Sequence, residues 1–335
     1  MTLNEQGPSL HLAIEAAVAA ATRAPSIHNT QPWHFRVSGR CIELLADHSR
    51  QLDVIDPTSR QLYISCGAAL HHLRVSLRAA GYTADVALQS AKHGTDRLAR
   101  ILVEPGDPAT AREKAAAAAI VNRHTQRDPF SDQNVESKTL AELRHATETE
   151  GAWLSILRER DDQITLAVLL SRADQAEKSD PDYQTELQRW RHAESLAGIP
   201  DSAIPSPEMR RHSEMTLRDY RWGEETDPTA APLIEQGETS VHIRDERPSL
   251  EILGTDADGP AQWIAAGQAL SALLLRATEL GLRASMLGQV TDLPGTRGQL
   301  RTLLRLVGEP QMVLRIGYGS IAAPTPRRAL TDVVN

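Results

Sequence analysis

Two stretches of this chain read alike across an offset of two hundred residues: CGAALHHLRVSLRAAGY at 66–82 and AGQALSALLLRATELGL at 266–282. Laid over one another without gaps, they share Gly67/Gly267, Ala69/Ala269, Leu70/Leu270, Leu73/Leu273 and Gly81/Gly281. Apolar residues recur at helical spacing in both, and the closing glycine suits a helix C-terminus. Each stretch follows a polar loop and runs into a strand-like segment. Two readings stay open on these residues. Amphipathic helices ending in Gly agree by chance at a few Ala and Leu positions, or the chain contains two related halves packed about a pseudo-twofold axis, as in a fused dimer. No repeat of about 20–50 residues occurs, which excludes a short-period solenoid.

Outward from these helices, residues 10–23 (LHLAIEAAVAAATR) are good helix material that Pro25 stops. HFRVSGRCIELL (34–45) reads as a hairpin hinged at Ser38-Gly39, and ADHSRQLDVIDPTSRQL (46–62) as polar loop. A helix is expected over 66–80, then strands at ADVALQ and RLARILVEP, then a helix at AREKAAAAAIVNR. The longest amphipathic helix is expected from Trp263 to Gly281. RASMLGQV and MVLRIGYG then read as strands flanking a short helix, GTRGQLRTLLRLVG, before the tail SIAAPTPRRALTDVVN. Between about 180 and 245 the texture changes to Pro, Arg, Glu and scattered aromatics with weak periodicity. Such a segment is no core of its own: it is a disordered insertion or a lid, and Trp190, Tyr220 and Trp222 favour the lid.

Bulk properties narrow the function. A length of 335 residues suggests about two domains' worth of chain. With 41% apolar and 24% charged residues the composition is that of a globular, water-soluble protein. The formal net charge of −8 argues against a general nucleic-acid or anionic-membrane binder. No apolar run approaches the ~20 residues that span a bilayer, and the N-terminus lacks a signal-peptide pattern. Two cysteines, Cys41 and Cys66, could pair but make neither a disulfide framework nor a zinc motif, so a reducing cytoplasm is expected. The histidines show no metal spacing, and no GxSxG, GxxxxGK[ST] or GxGxxG string occurs.

Three segments concentrate polar chemistry. PSIHNTQPW (25–33) places Ser26, Asn29 and Gln31 between Pro25 and Pro32. That makes a stiff loop with amide donors and acceptors suited to the edge of a heteroaromatic ring, or else a connector whose side chains satisfy its own backbone. In NRHTQRDPF (122–130), Arg123, Thr125 and Arg127 alternate, so an extended backbone would converge two guanidiniums and a hydroxyl on one face. Arginine's fork matches phosphate oxygens, while the plain alternative is a solvated basic turn. TPRRAL (325–330) adds Arg327 and Arg328, which alone read as a surface tail. Gly288 in SMLGQV interrupts a strand pattern, as where a backbone or ligand comes close.

Taken in this order, the pieces resemble the FMN-dependent nitroreductase family. APSIHNTQPWHF is similar to that family's flavin-contacting loop, and RHTQR to its Arg-x-Ser-x-Arg/Lys phosphate segment, with Thr125 in the serine's place. AAGQALSALLLRATELGLRASMLG resembles its central helix and following strand, and LRLVGEPQMVLRIGYG with PRRAL resembles its end. The order departs from an ordinary member, where the phosphate segment comes first. It is closer to the mycobacterial dormancy-associated subgroup, whose monomer mimics a nitroreductase dimer and covers its flavin with a lid.

The resemblance implies an α+β nitroreductase-like fold of two pseudo-symmetric halves, each a central sheet flanked by helices. One half would span 1–115, the other 116–335 with the lid-like insertion. It implies one composite FMN site and one degraded one. Arg123, Thr125 and Arg127, aided by Arg327 and Arg328, would hold the phosphate. Pro25, Ser26, Ile27, Asn29 and Gln31 would lie along the ring, and the backbone of Leu287 and Gly288 would approach its N5. Where the family often carries an acidic residue before that glycine, this chain has Leu287. The implied function is an NAD(P)H-dependent oxidoreductase for nitroaromatic or quinone-like acceptors, with no metal, no nucleic acid and no membrane. The alternatives are a flavin-sequestering protein with little turnover, or a protein without flavin. Further self-association, the catalytic residue and the group that tunes flavin N1 stay open.

Overall fold

In the computed structural model, residues 9–89, 96–191, 196–204, 246–322 and 324–334 are described. The first part of the chain runs α1 (Leu10–Ala21), β1 (Trp33–Ser38), β2 (Cys41–Ala46), α2 (Arg60–Ala79), β3 (Tyr82–Leu88) and β4 (Arg97–Pro105). Helix α3 (Ala111–Asn122) leads into α4 (Ser137–Glu148), β5 (Trp153–Ile156), α5 (Arg160–Ser179), α6 (Pro181–Arg189), β6 (Ser249–Thr255) and α7 (Pro260–Glu279). The chain continues through β7 (Arg283–Met286), the single turn α8 (Gln289–Asp292), α9 (Pro294–Leu303) and β8 (Glu309–Gly317). The strands form two antiparallel sheets, ordered β1-β2-β4-β3 and β5-β6-β8-β7. With α3, α5–α6 and α8–α9 set aside, both parts follow one plan: helix, two strands, helix, two strands. The fold is α+β, in two pseudo-symmetric halves.

The contact between α2 and α7 shows the symmetry at atomic scale. A Cβ on Gly67 would lie 2.2 Å from the Ile264 carbonyl oxygen, and a Cβ on Gly267 2.0 Å from the Ile64 carbonyl oxygen. The same offset of two hundred residues relates both pairs, so each helix presents the same patch to the other, as across an isologous interface. His71 and Ser271, again offset mates, meet through a 2.8 Å Nδ1–Oγ hydrogen bond. The repeat in the sequence is therefore structural.

The halves differ in how their sheets are covered. The first buries one face, where Trp33, Phe35, Ile42, Leu44 and Ile101 pack with α1 and α2. Its other face carries ion pairs such as Arg36–Glu43 at 3.0 Å, the usual alternation of a half-solvated antiparallel sheet. The second sheet is covered on both faces. Leu143, Leu253, Leu273 and Leu314 pack beneath α4 and α7, while Leu166, Leu170, Val290, Leu300 and Val313 join it to α5, α8 and α9. The C-terminus returns to the first sheet: the Phe35 amide donates to the Val333 carbonyl at 2.7 Å, and Val333 is fully buried there.

Several expectations need adjustment. α2 starts at Arg60, not near residue 66, so the polar stretch is loop only as far as Ser59. α2, α5 and α7 are equally long at 20 residues. The strand after α7 stops at Met286, and Gly288 has helical angles (φ −66°, ψ −28°) as it opens α8. Cys41 and Cys66 are both free thiols. Tyr220 and Trp222 fall outside the described residues. Among the described residues no helix is long and apolar enough to cross a membrane, and no His/Cys/Asp/Glu group could hold a metal.

One buried carboxyl makes a stability prediction. Glu251 in β6 is fully buried, with Ile156 and Leu314 as its cross-strand neighbours. Neither carboxylate oxygen meets a hydrogen-bond partner at normal distance and angle. Burial pushes its carboxyl up to about 8, with Ser249 and Arg144 pulling the other way. A folded-state acid raised in this way binds its proton where the unfolded chain has lost it, so stability falls as pH rises from about 4.5 towards 8. Glu251→Gln is expected to raise the melting temperature by a few degrees at pH 8 and to change it little at pH 4, in paired thermal melts.

Candidate functional site

The loop after α1 is held in an unusual backbone shape. His28, Asn29 and Gln31 all have positive φ (43°, 55° and 52°), which costs energy for residues with side chains. Local hydrogen bonds over-determine the shape. The Gln31 amide donates to Ser26 Oγ at 3.0 Å, and the Ile27 amide to Ser65 Oγ on α2 at 3.2 Å. Asn29 ties three distant segments together. Its Nδ2 donates to the carbonyls of Gly198 (2.9 Å) and Pro326 (3.1 Å), and its Oδ1 accepts from Arg327 at 3.0 Å. The Gly198 amide returns a bond to the Asn29 carbonyl at 3.1 Å.

After α3 the chain becomes extended. Thr125 bridges Ala284 in parallel, and the Gln126 amide donates to the Ala284 carbonyl at 2.8 Å. Backbone alternation then sends Arg123, Thr125 and Arg127 to one side while Gln126 is buried. That side and the Pro25–Asn29 loop enclose a cavity of about 1120 Å³, counted out to open solvent. Ile64, Leu270, Met286 and Met312 form apolar wall; Gln61, Ser65, Ser285 and Asp292 add polar groups, and Ile199 closes one side.

One end of the cavity is strongly cationic. Among the described residues, Arg123, Arg127 and Arg327 form no ion pair with a carboxylate, and the Nε atoms of Arg123 and Arg327 are buried without a hydrogen-bond partner. Burial, then the neighbouring Arg127, pulls the Arg123 guanidinium down to about 10. Burial, then Arg123, Arg23 and Arg127, pulls Arg327 down to about 9. Both remain charged at neutral pH, so the protein maintains mutually repelling, poorly solvated cations. An anion with several acceptor oxygens would relieve that cost. A phosphate monoester matches this donor set, and the apolar walls beyond it match a flat ring.

A carboxylate that also lines the cavity, Asp292, joins the two halves. Arg60 donates to Asp292 Oδ1 at 2.9 Å and to the carbonyls of Thr291 (2.9 Å) and Gln311 (2.7 Å). Asp56 nearby is pushed up to about 7, chiefly by burial and also by Asp292, against hydrogen bonds from the Leu62 and Gln61 amides.

A Mycobacterium tuberculosis protein (strain H37Rv) named "Putative NAD(P)H nitroreductase Rv3131" is 33% identical over 328 residues, covering 96% of this chain and 90% of that protein. The chain belongs to the NAD(P)H nitroreductase family. From the same organism, "Uncharacterized protein Rv3127" is 31% identical over 331 residues (96% of this chain, 92% of that protein). "Putative NAD(P)H nitroreductase acg" is 29% identical over 326 residues (96% and 94%). No family model matches the chain. Among solved structures, a nitroreductase with bound FMN from Desulfitobacterium hafniense is 12% identical, with a TM-score of 0.38, over 66% of this chain and 97% of that one. So shallow an overlap assigns nothing to individual residues.

In this nitroreductase-family chain, Pro25, Ser26, Ile27, Asn29, Arg123, Thr125, Arg127, Gly288 and Arg327 all line the one cavity. Gln31, Leu287 and Arg328 do not. Gln31 is fully buried behind the loop, donating to the Leu196 carbonyl at 2.9 Å and accepting from the Arg328 amide at 2.8 Å. The Leu287 side chain points into the core under α5, and its amide is taken by the Val313 carbonyl at 2.8 Å. Arg328 turns away to the Gln31 carbonyl (3.1 Å) and the Asp332 carbonyl (2.7 Å). Asn29 lines the cavity, but its carboxamide is committed to Gly198, Pro326 and Arg327. Here it ties segments together. Sequence reasoning passed over Gln61, Ser65 and Asp292, because a lone polar residue in a helix turn carries no spacing signal.

Proposed function

We propose that this chain binds one FMN between its two halves and passes electrons from NAD(P)H to nitroaromatic or quinone-like acceptors. The observation that carries this reading is one cavity in which three arginines without carboxylate partners face the strained Pro25–Asn29 loop. On this reading residues 1–115 stand for one subunit of a nitroreductase dimer and 116–335 for the other. Arg123, Thr125, Arg127 and Arg327 would hold the phosphate. Pro25, Ser26 and Ile27 would lie along the ring, and Ile64, Leu270, Met286 and Met312 would keep water from it. Bound FMN supplies the two-electron redox chemistry, while the protein binds, orients and tunes it.

A second reading, flavin sequestration, is favoured by the strap at 196–199. Gly198 is tied to Asn29 in both directions and Ile199 lines the cavity. Hydride transfer needs the reacting atoms roughly 3–3.5 Å apart, so a strap that stays shut excludes nicotinamide. Purified protein is expected to absorb in the flavin bands. In stopped-flow mixing with NADH and NADPH, bleaching within a catalytic timescale supports the oxidoreductase. A flavin reduced only by dithionite rejects turnover and leaves sequestration.

A further inference from the structure

Gln61, on the first turn of α2, lines the cavity with only 4% of its surface exposed. Its Nε2 donates to Asp292 Oδ1 at 2.6 Å. That same oxygen accepts from the buried Arg60 guanidinium at 2.9 Å, so it presents acceptor character to its surroundings. A flipped amide would set two acceptors against each other at hydrogen-bond distance, so the ion pair dictates which way the carboxamide faces. Its Oε1 is thereby turned away from Asp292, and no described residue donates a hydrogen bond to it. That oxygen is not sealed in the core; it opens onto the cavity that Gln61 lines, where a ligand's donor can reach it.

We propose that Gln61 is a ligand-recognition residue of this cavity. Its Oε1 accepts a hydrogen bond from the ring N–H of bound flavin, and Asp292 with Arg60 are positioning residues that fix the amide's direction. This rests on the FMN reading above. Oxidised flavin has a single ring N–H, at N3, so the resting cofactor offers one suitable donor. The arginines and Thr125 provide donors for an anionic tail, and Gln61 provides an acceptor for a neutral ring edge. The cavity is thus polar in opposite senses at two places, which fixes the orientation of a ligand that has both.

The test titrates flavin-free protein with FMN and with FMN methylated at N3, reading flavin fluorescence. Wild type is expected to bind FMN at least about three- to tenfold more tightly than the methylated form. Gln61→Ala, which makes room for the methyl group and leaves the Arg60–Asp292 pair intact, is expected to bind the two alike. A second variant, Arg60→Gln with Asp292→Asn, frees the amide to flip and is expected to weaken the preference with Gln61 still present. Were Gln61 a mere brace for Asp292, its alanine variant would melt earlier yet keep the wild-type preference, and that result overturns the assignment. If wild type binds neither flavin, the FMN reading itself has failed; if FMN binds and the preference survives in Gln61→Ala, only the Gln61 assignment falls.

Discussion

Arg123→Ala combined with Arg127→Ala is expected to yield protein that is folded but nearly free of flavin. Each charged hydrogen bond contributes about 1.5–3 kcal/mol, so losing two weakens FMN binding by roughly two to four orders of magnitude. The structure also predicts what the substitutions leave alone. Beyond burial, Arg127 lowers the tendency of Arg123 to stay charged, and Arg123, Arg23 and Arg127 lower that of Arg327, while Arg123, Arg127 and Arg327 form no ion pair with a carboxylate among the described residues. Removing two charges from such a cluster relieves repulsion, so the flavin-free variant is expected to melt within a few degrees of flavin-free wild type. Loss of flavin with retained stability locates the arginines in ligand binding. Flavin retained in the double variant rejects the phosphate assignment.

The second large effect concerns the seam between the halves. Gly267→Ala places a methyl group 2.0 Å from the Ile64 carbonyl oxygen, and Gly67→Ala one 2.2 Å from the Ile264 carbonyl oxygen. Both obstacles are helix backbone, which cannot rotate aside, so α2 and α7 must separate. Overpacking of this kind costs about 1–3 kcal/mol, occasionally more. Either substitution is expected to lower stability by at least that amount in urea unfolding. Gly298→Ala, in α9 with nothing within 4 Å, is the control; it is expected to stabilise by up to about 1 kcal/mol as an ordinary helix-interior replacement. The seam also shapes the site, because Ile64 and Ser65 on α2 and Leu270 on α7 line the cavity. The glycine variants are therefore expected to bind flavin less tightly as well as unfold more easily.

Much of this arrangement was legible in the sequence wherever physical demands fall on single residue types. Helices crossing backbone to backbone need glycine at the contact, so Gly67 and Gly267 stood out at equal offset. Converging guanidiniums need alternate positions of an extended segment, and Arg123, Thr125 and Arg127 occupy such positions and line one cavity. What stayed hidden depends on tertiary partners. α4, β5, α5 and β6 lie in stretches where no element had been expected, and β6 contains Glu251, a charged residue in a strand buried on both faces. Arg60 and Gln61 read as polar loop because their partners, Asp292 and Gln311, lie more than two hundred residues away. Gln31, Leu287 and Arg328 sit within the same motifs but do not line the cavity. A motif constrains the backbone path, while packing decides which of its side chains reach the cavity.

The central claim is that a single polypeptide, without a second copy, completes a flavin site from its own two halves. Native mass spectrometry of the reconstituted protein at high dilution tests it most directly. The account predicts a lone chain carrying one FMN. Flavin found only on species containing two chains, or two flavins on each chain, would contradict it.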